Sequence, residues 1–396
     1  MSLVPAPPAP LADAPYRPAP TGPGARSMGP DLARGVLLLF IALANVWGYL
    51  YGRDLGVGGR PVDGGTLDRV VDGLVALFVD DRSRPMFAIL YGFGLAVMAS
   101  RMSARGLDPQ GIRRVLRRRS TGLIVLGVLH SALLFGGDIL APYGATGLVA
   151  LALVQRRAAV LWRWFAASVV LGVTASALSM LLLDSSREVL PPATGYLASA
   201  GERLLGSGVG IVVCVVFLMF VPHVVVGVLV QRAGWLQRPW EHRSTLLRVV
   251  GWTSLGNLVL NLPWALTVAR VWVPGEGAEL ALSLAHEVSG FAMGLGYVCL
   301  FGWLAAVWHD RPRGLLLTGV TAVGERSLTC YLLQSVAFAP LLSAWGLGWG
   351  ERLGTAQAAV LAVVVWAATV AVALALHRAG RRGPFEVLLR RWAYGR

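Results

Sequence analysis

The stretch "HSALLFGGDILAPYG", His130–Gly144, keeps a histidine and an aspartate close together in a sequence that is otherwise apolar. An imidazole with a carboxylate partner is the usual general-base arrangement. The ring titrates near neutrality, and the carboxylate fixes its tautomer and stabilises the imidazolium. A second use fits the same two residues: His130 bonds a neighbouring helix and Asp138 caps a turn or a helix start. Both uses stay open at the level of sequence.

Other polar groups sit near this pair along the chain. Asn45, Asp80, Asp81, Arg82, Arg84, Tyr143, His286 and Glu287 all interrupt or flank apolar runs. Ionisable groups inside membrane helices are costly, so each is a functional candidate. Their convergence would make one polar cavity open at the outer face, with Asn45, Tyr143, Arg82, Arg84 and Glu287 binding substrate. His223 ranks below His130, since a lone histidine is more often a packing residue. Asp80 and Asp81 can grip a divalent cation on a pyrophosphate. They can equally cap a helix or pair with Arg82 or Arg84, and no second acidic cluster accompanies them, so no metal ligands are assigned. No GxSxG elbow, HExxH or Walker loop occurs.

The elements that must position these groups follow from composition. The chain has 396 residues, 56% hydrophobic and 14% charged, with a mean hydropathy of +0.63. A soluble domain carries about a quarter charged residues. Apolar runs long enough to cross a bilayer recur throughout, which defines an all-α, polytopic membrane protein. The net charge of +14 comes entirely from arginine, as there is no lysine. The arginines cluster between apolar runs, the positive-inside signature, and no folded basic face for nucleic acid is left. The lipid bilayer is the expected partner. Cys214, Cys299 and Cys330 lie in apolar runs without CxxC spacing and read as small buried hydrophobes.

The expected crossings number roughly ten, over 32–51, 85–100, 120–136, 142–155, 158–183, 207–231, 246–272, 284–308, 316–345 and 356–377. Basic connections at 101–119, 156–163, 232–248 and 309–314 alternate with arginine-poor ones. That alternation puts both termini in the cytoplasm of a bacterial inner membrane. Residues 1–30 are a Pro/Ala-rich stretch expected to be a disordered tail. The helical domain covers 31–378, and 379–396 is a basic cytoplasmic segment. Over 66–78, Leu67, Val70, Val71, Leu74, Leu77 and Phe78 share one stripe, with Asp68 and Asp72 off it. This amphipathic helix is too short to span and is expected on the outer surface or re-entrant. Asp31 and Arg34 open the first span, as a helix start and as a snorkelling or phosphate-binding arginine. Thr329, Tyr331, Gln334 and Ser335, and the glycines Gly92 and Gly94, read as helix contacts.

Six motifs in order resemble the YeiB-like family of bacterial multi-pass proteins, which carry domain of unknown function 418. They are "PDLARGVLLLFIALANV" (30–46), "RSRPMFAILYGFGLAVM" (82–98), "LIVLGVLHSALLFGGDILAPYGATGLV" (123–149), "GNLVLNLPWAL" (256–266), "GERSLTCYLLQS" (324–335) and "GPFEVLLRRWAYG" (383–395). Arg34, Asn45, His130, Asp138 and Tyr143 match the family pattern. Glu325 stands where the family commonly has arginine, Cys330 where it has asparagine, and Pro30 where a leucine precedes the aspartate.

At fold level that family is similar to the transmembrane acyltransferase superfamily, which includes lysosomal heparan acetyltransferase and bacterial sugar O-acyltransferases. The resemblance implies transfer of an acyl group from a cytoplasmic acyl-CoA donor to a small-molecule hydroxyl or amine at the outer face. His130 would be base or acylated group, Asp138 its orienter, Asn45 or Tyr143 an oxyanion donor, and Arg34 a phosphate ligand of the donor. Two other readings use the same polar set: a small-molecule transporter, and an isoprenoid- or lipid-handling enzyme built on Asp80–Asp81.

Overall fold

The computed structural model describes residues 28–182, 195–275, 277–309, 311–312 and 314–395. The tail expected over 1–30 therefore lies outside the described residues, except for its last three, which begin the first helix. Helix α1 (Met28–Val46) is followed by a loop, then α2 (Thr66–Phe78) and α3 (Ser83–Ser103). Next come α4 (Pro109–Leu133), α5 (Leu140–Ala150), α6 (Ala158–Leu182), α7 (Tyr196–Val216) and α8 (Val221–Arg232). The rest is α9 (Arg243–Val268), α10 (Ala278–Val307), α11 (Leu315–Glu325), α12 (Ser327–Leu342), the one-turn α13 (Trp349–Arg352), α14 (Thr355–Arg378) and α15 (Pro384–Tyr394). The polytopic, all-α class is as the composition requires. Six described stretches are long and apolar enough to cross a bilayer: 28–49, 66–103, 158–175, 196–216, 278–307 and 355–378.

The basic connections gather at one end of the bundle. There the Arg232 guanidinium donates to the carbonyls of Val154 and Arg156, Arg243 donates to that of Ala306, and Trp240 meets the His309 ring at 4.4 Å. This is called the basic end below. The opposite, far end holds the loop after α1 and the start of α14. Asp68 of α2 caps that start, accepting from the Ala356 amide at 2.8 Å and the Thr355 hydroxyl at 3.2 Å. A carboxylate at a helix N-terminus satisfies donors the helix cannot.

Several expected spans prove to be broken. The run at 207–231 is the end of α7 and all of α8, which part at Phe217–Phe220, where Leu218 has a φ of 52°. The run at 316–345 is two helices meeting at Arg326. Gly35 faces Val320 and Gly324 faces Asp31, so α11 runs opposite to α1. Gln334 donates to the Leu38 carbonyl at 3.1 Å and Phe338 meets Tyr49, so α12 runs alongside α1. The reversal is held by Arg326, which donates to the carbonyls of Ala322 and Arg381. The runs at 120–136 and 142–155 form a hairpin of α4 and α5. With 11 residues, α5 is only about 16 Å long, roughly half the hydrocarbon thickness.

The amphipathic segment is a helix as expected, but its faces are inverted relative to those of a soluble protein. Leu67, Val70, Leu74 and Phe78 point outward, while Asp72 is completely buried. An apolar face turned outward suits a lipid environment, where carboxylates and guanidinia need protein partners. Helix α2 therefore packs its polar side on α9 and α14. Its last turn accepts from Asn257 (Leu77 O, 3.1 Å) and Asn261 (Ala76 O, 3.0 Å) of α9. Together α2 and α3 form one stretch long and apolar enough to cross a bilayer, with a break at Val79–Arg82.

Close helix contacts rest on glycine, as is common between membrane helices. A Cβ at Gly92 would strike the Val224 carbonyl, and one at Gly227 the Ile89 carbonyl, so α3 and α8 touch backbone to backbone. Gly94 faces only the Arg34 side chain, at 3.6 Å. Two of the family-like motifs meet at α12. Glu386 of α15 accepts from the amides of Leu328 (2.7 Å) and Thr329 (3.1 Å) and from the Thr329 hydroxyl (2.5 Å). The carboxylate thus caps a helix that begins inside the fold. Glu386→Ala is expected to destabilise the protein by about 1–3 kcal/mol, as loss of a charged cap does, with Glu386→Gln losing less. The thermal midpoint in detergent reads both.

Candidate functional site

From the far end a cavity of about 610 Å³ descends into the bundle. Its walls are the end of α1 (Asn45), the loop after it (Trp47–Arg60), α9 (Trp264) and α10 (Ser283, His286). At its floor two breaks meet. One is the α2–α3 break, which supplies Asp80, Asp81, Ser83 and Arg84. The other is the α4–α5 turn, which supplies Gly137 and Ile139. The turn carrying Asp138 therefore lies at the level of Arg84, within the bundle. The Tyr143 hydroxyl ties the two breaks together by donating to the Arg84 carbonyl at 2.8 Å.

Beneath the floor lies a bed of buried charge. Arg82 is fully buried. It donates to Asn257 Oδ1 (2.7 Å) and Ser289 Oγ (2.9 Å), lies 3.1 Å from His286 Nδ1, and reaches the Asp80 carbonyl. Its hydrogen-bonding capacity is spent on the protein, so its role here is to hold the break. His286 lies between Asn261 Oδ1 (2.6 Å) and Asp81 Oδ2 (3.0 Å). Asp81, at φ 53°, also pairs with Arg84.

Arg60 closes the loop over the cavity. Its guanidinium pairs with Asp80 at 2.5 Å and with Asp72 at 3.4 Å, and stacks over Trp47 at 4.5 Å. Arg270 completes the set at 2.9 Å from Asp72. Of the alternatives open for Asp80 and Asp81, the ion-pair one is realised, through Arg60 and Arg84. Sequence reasoning missed Arg60, Asp72, Asn257 and Arg270 as site-forming residues. The signal that could have found two of them was the presence of Asn257 and Arg270 inside the expected span 246–272.

The His130–Asp138 pair forms. His130 Nδ1 and Asp138 Oδ1 are 2.7 Å apart, both buried. The second carboxylate oxygen accepts from the Ala141 amide at 2.8 Å. Asp138 thus orients an imidazole and caps α5 at once. His130 Nε2 is buried with no hydrogen-bond partner, and the ring lies 5.1 Å from that of Tyr331. Tyr331 and Tyr143 line a second cavity, of about 280 Å³, that contains Arg34, Arg119 and Glu325 towards the basic end. Arg34 pairs there with Asp31 at 3.1 Å. His130 lines neither cavity directly; it sits between residues that do.

The polar set therefore converges only in part. Asn45, Asp80, Asp81, Arg84 and His286 share the far-end cavity, and Tyr143 stands between the two cavities. Glu287 and His223 belong to a third, lateral cavity.

Fold and site together define a polytopic helical membrane protein with polar cavities entering from both ends. Residues 230–396 match the family described as "Protein of unknown function (DUF418)". The chain is 26% identical over 390 residues to the uncharacterized protein YeiB of Escherichia coli (strain K12), covering 92% of this chain and 95% of YeiB. It is 23% identical over 349 residues to the uncharacterized protein YxaH of Bacillus subtilis (strain 168), covering 81% of each. The chain is thus similar to YeiB along most of its length and matches DUF418 over residues 230–396, in keeping with the resemblance of its six motifs.

Asp72 neutralises two guanidinia in a buried setting, so its removal strands both. Asp72→Ala is expected to cost about 3–5 kcal/mol, the usual result of breaking a buried ion pair from one side. Asp72→Asn, which keeps the hydrogen-bond acceptor, should lie between it and wild type in detergent unfolding.

Proposed function

We propose that the protein is an integral membrane acyltransferase-like enzyme that joins a donor from the basic end to an acceptor from the far end. The observation that carries this reading is His130. One ring nitrogen is held by a buried carboxylate, the other is bare, and the ring stands between two cavities that enter from opposite ends of the bundle. In this reading the basic end faces the cytoplasm of a bacterial inner membrane, and both termini with it.

The donor is an acyl thioester of the acyl-CoA type. Its narrow acyl-bearing arm enters the basic-end cavity, and its phosphates lie near Arg34 and Arg119. Guanidinia suit phosphate because their fork matches its oxygens. The acceptor, a small molecule with a hydroxyl or amine, occupies the far-end cavity beside Asn45 and Arg84. His130 Nε2 takes the acceptor's proton as the acceptor oxygen or nitrogen bonds to the acyl carbon. The carbon–sulfur bond breaks, and the imidazolium returns that proton to the leaving thiolate. Asp138 stabilises the cationic ring between the two steps. Tyr143 and Asn45 are the hydroxyl and amide nearest the path for the developing oxyanion.

Purified full-length protein in nanodiscs, given labelled acetyl-CoA and candidate acceptors, tests the assignment. His130→Ala is expected to lower transfer about 10²–10⁴-fold, the usual share of a general base, while donor binding persists. Arg34→Ala should weaken donor binding and leave the rate at saturation little changed. Full transfer by His130→Ala would overturn the mechanism. Absence of donor binding, with solute flux in proteoliposomes, would instead make the same cavities a transport route.

A further inference from the structure

Helix α6 stands away from the rest of the bundle. Only 11% of its apolar window is buried, against 61% for α10, and it rests on α8 and α10. Behind it lies a lateral cavity of about 420 Å³, within the range of roughly 300–1,000 Å³ typical of small-molecule sites. Its walls are largely apolar: Phe165, Val169 and Val173 of α6 face Phe220 and Phe291, with the His223 ring 4.5 Å from that of Phe291. Gly172 also lines it, and a Cβ there would meet no heavy atom within 4 Å. Helix packing does not demand that glycine, and its effect is to leave the cavity wide.

The inner end of this cavity is polar. Asp81, Arg84, Ser283 and Glu287 line it, and the first three also line the far-end cavity. The two compartments therefore adjoin at the Asp81–Arg84 ion pair, one apolar and flanked by the exposed helix α6, the other polar. A wholly polar solute fills only the second compartment. A chain with a polar head fills both, its hydrocarbon against the apolar walls and its head among the polar groups. The polar compartment that a head would enter is lined by Arg60 and Arg84 together with Asp80 and Asp81, and these pair with one another. Guanidinia already engaged by carboxylates disfavour a phosphate head, so the compartment suits hydroxyls or an amine.

We propose that the lateral cavity binds the hydrocarbon chain of a membrane amphiphile whose hydroxyl- or amine-bearing, non-phosphate head enters the far-end cavity. The chain is an acyl or an isoprenoid one. Where the acyl-transfer reading holds, this amphiphile is the acceptor, and only that last identification rests on it.

The test is photolabelling of the full-length protein in phosphatidylcholine nanodiscs, with labelled peptides mapped by mass spectrometry. Three diazirine probes are compared: a monoacylglycerol, farnesol, and a lysophosphatidate with the same acyl chain as the first. A neutral probe is expected to label α6 around Phe165–Val173 and α10 around Glu287–Phe291 in preference to the lipid-facing side of α14 at Val360 and Val364. Gly172→Trp fills the cavity and should cut that labelling about ten-fold, as overfilling a packed site does, without changing labelling of α14. Val169→Trp provides a second plug should the first variant fail to fold. The better neutral probe identifies the chain as acyl or isoprenoid. Labelling unaffected by either plug, or no greater in the cavity than on α14, overturns the proposal. Equal labelling by the lysophosphatidate overturns the head assignment. His130→Ala should label as wild type does, so failure of amphiphile binding and failure of acyl transfer are read separately.

Discussion

A guanidinium buried at the middle of a membrane bundle is the constraint on which the rest of the architecture turns. Arg82 has no access to water, and hydrocarbon offers it no partner, so protein groups must solvate it. Asn257, Ser289 and the Asp80 carbonyl do so from α9, α10 and the break itself. A continuous helix could not aim its own backbone carbonyl at that charge, because the carbonyl would already be bonded within the helix. The interruption between α2 and α3 is therefore tied to the arginine. It also opens the floor of the far-end cavity and exposes the polar groups at the start of α3.

The same logic governs the second break. Asp138 ends the α4–α5 turn by accepting from both the His130 ring and the Ala141 amide. Non-helical backbone at membrane depth is tolerated where protein or a water-filled cavity surrounds it, and the two breaks share one cavity. Tyr143 joins them through a single hydrogen bond to the Arg84 carbonyl. A site built this way places an imidazole, a phenol and ion-paired carboxylates within the bundle, where the low dielectric strengthens their mutual interactions.

Much of this was legible in the sequence. The apolar runs gave the class, and the clustering of arginine gave the grouping of connections at one end. The His130–Asp138 pair formed as their types and spacing suggested, and the glycine at position 92 proved to be a contact between helices. The helix over 66–78 was legible as amphipathic. Its facing was not, because the hydrophobic stripe of an amphipathic helix turns towards lipid or towards a core depending on what surrounds it. The breaks at Phe217–Phe220 and Arg326 were hidden for a related reason. Hydropathy counts apolar residues along a run and is insensitive to a reversal within it, and the residues that hold the Arg326 reversal, Ala322 and Arg381, include one far away in sequence.

By itself, then, the sequence determined the helical, polytopic class, the end at which the basic connections lie, the family resemblance and the His130–Asp138 pairing. All of these are set by composition or by residues near one another along the chain. The tertiary structure alone decided that the polar set divides among three cavities, that Arg82 serves as internal scaffolding, and that Arg60 closes the loop over the far-end cavity. It also decided that Glu386 caps α12 from 58 residues away. Those outcomes depend on which buried charge finds which distant partner, and in a medium without water that choice is made by packing, not by sequence neighbours.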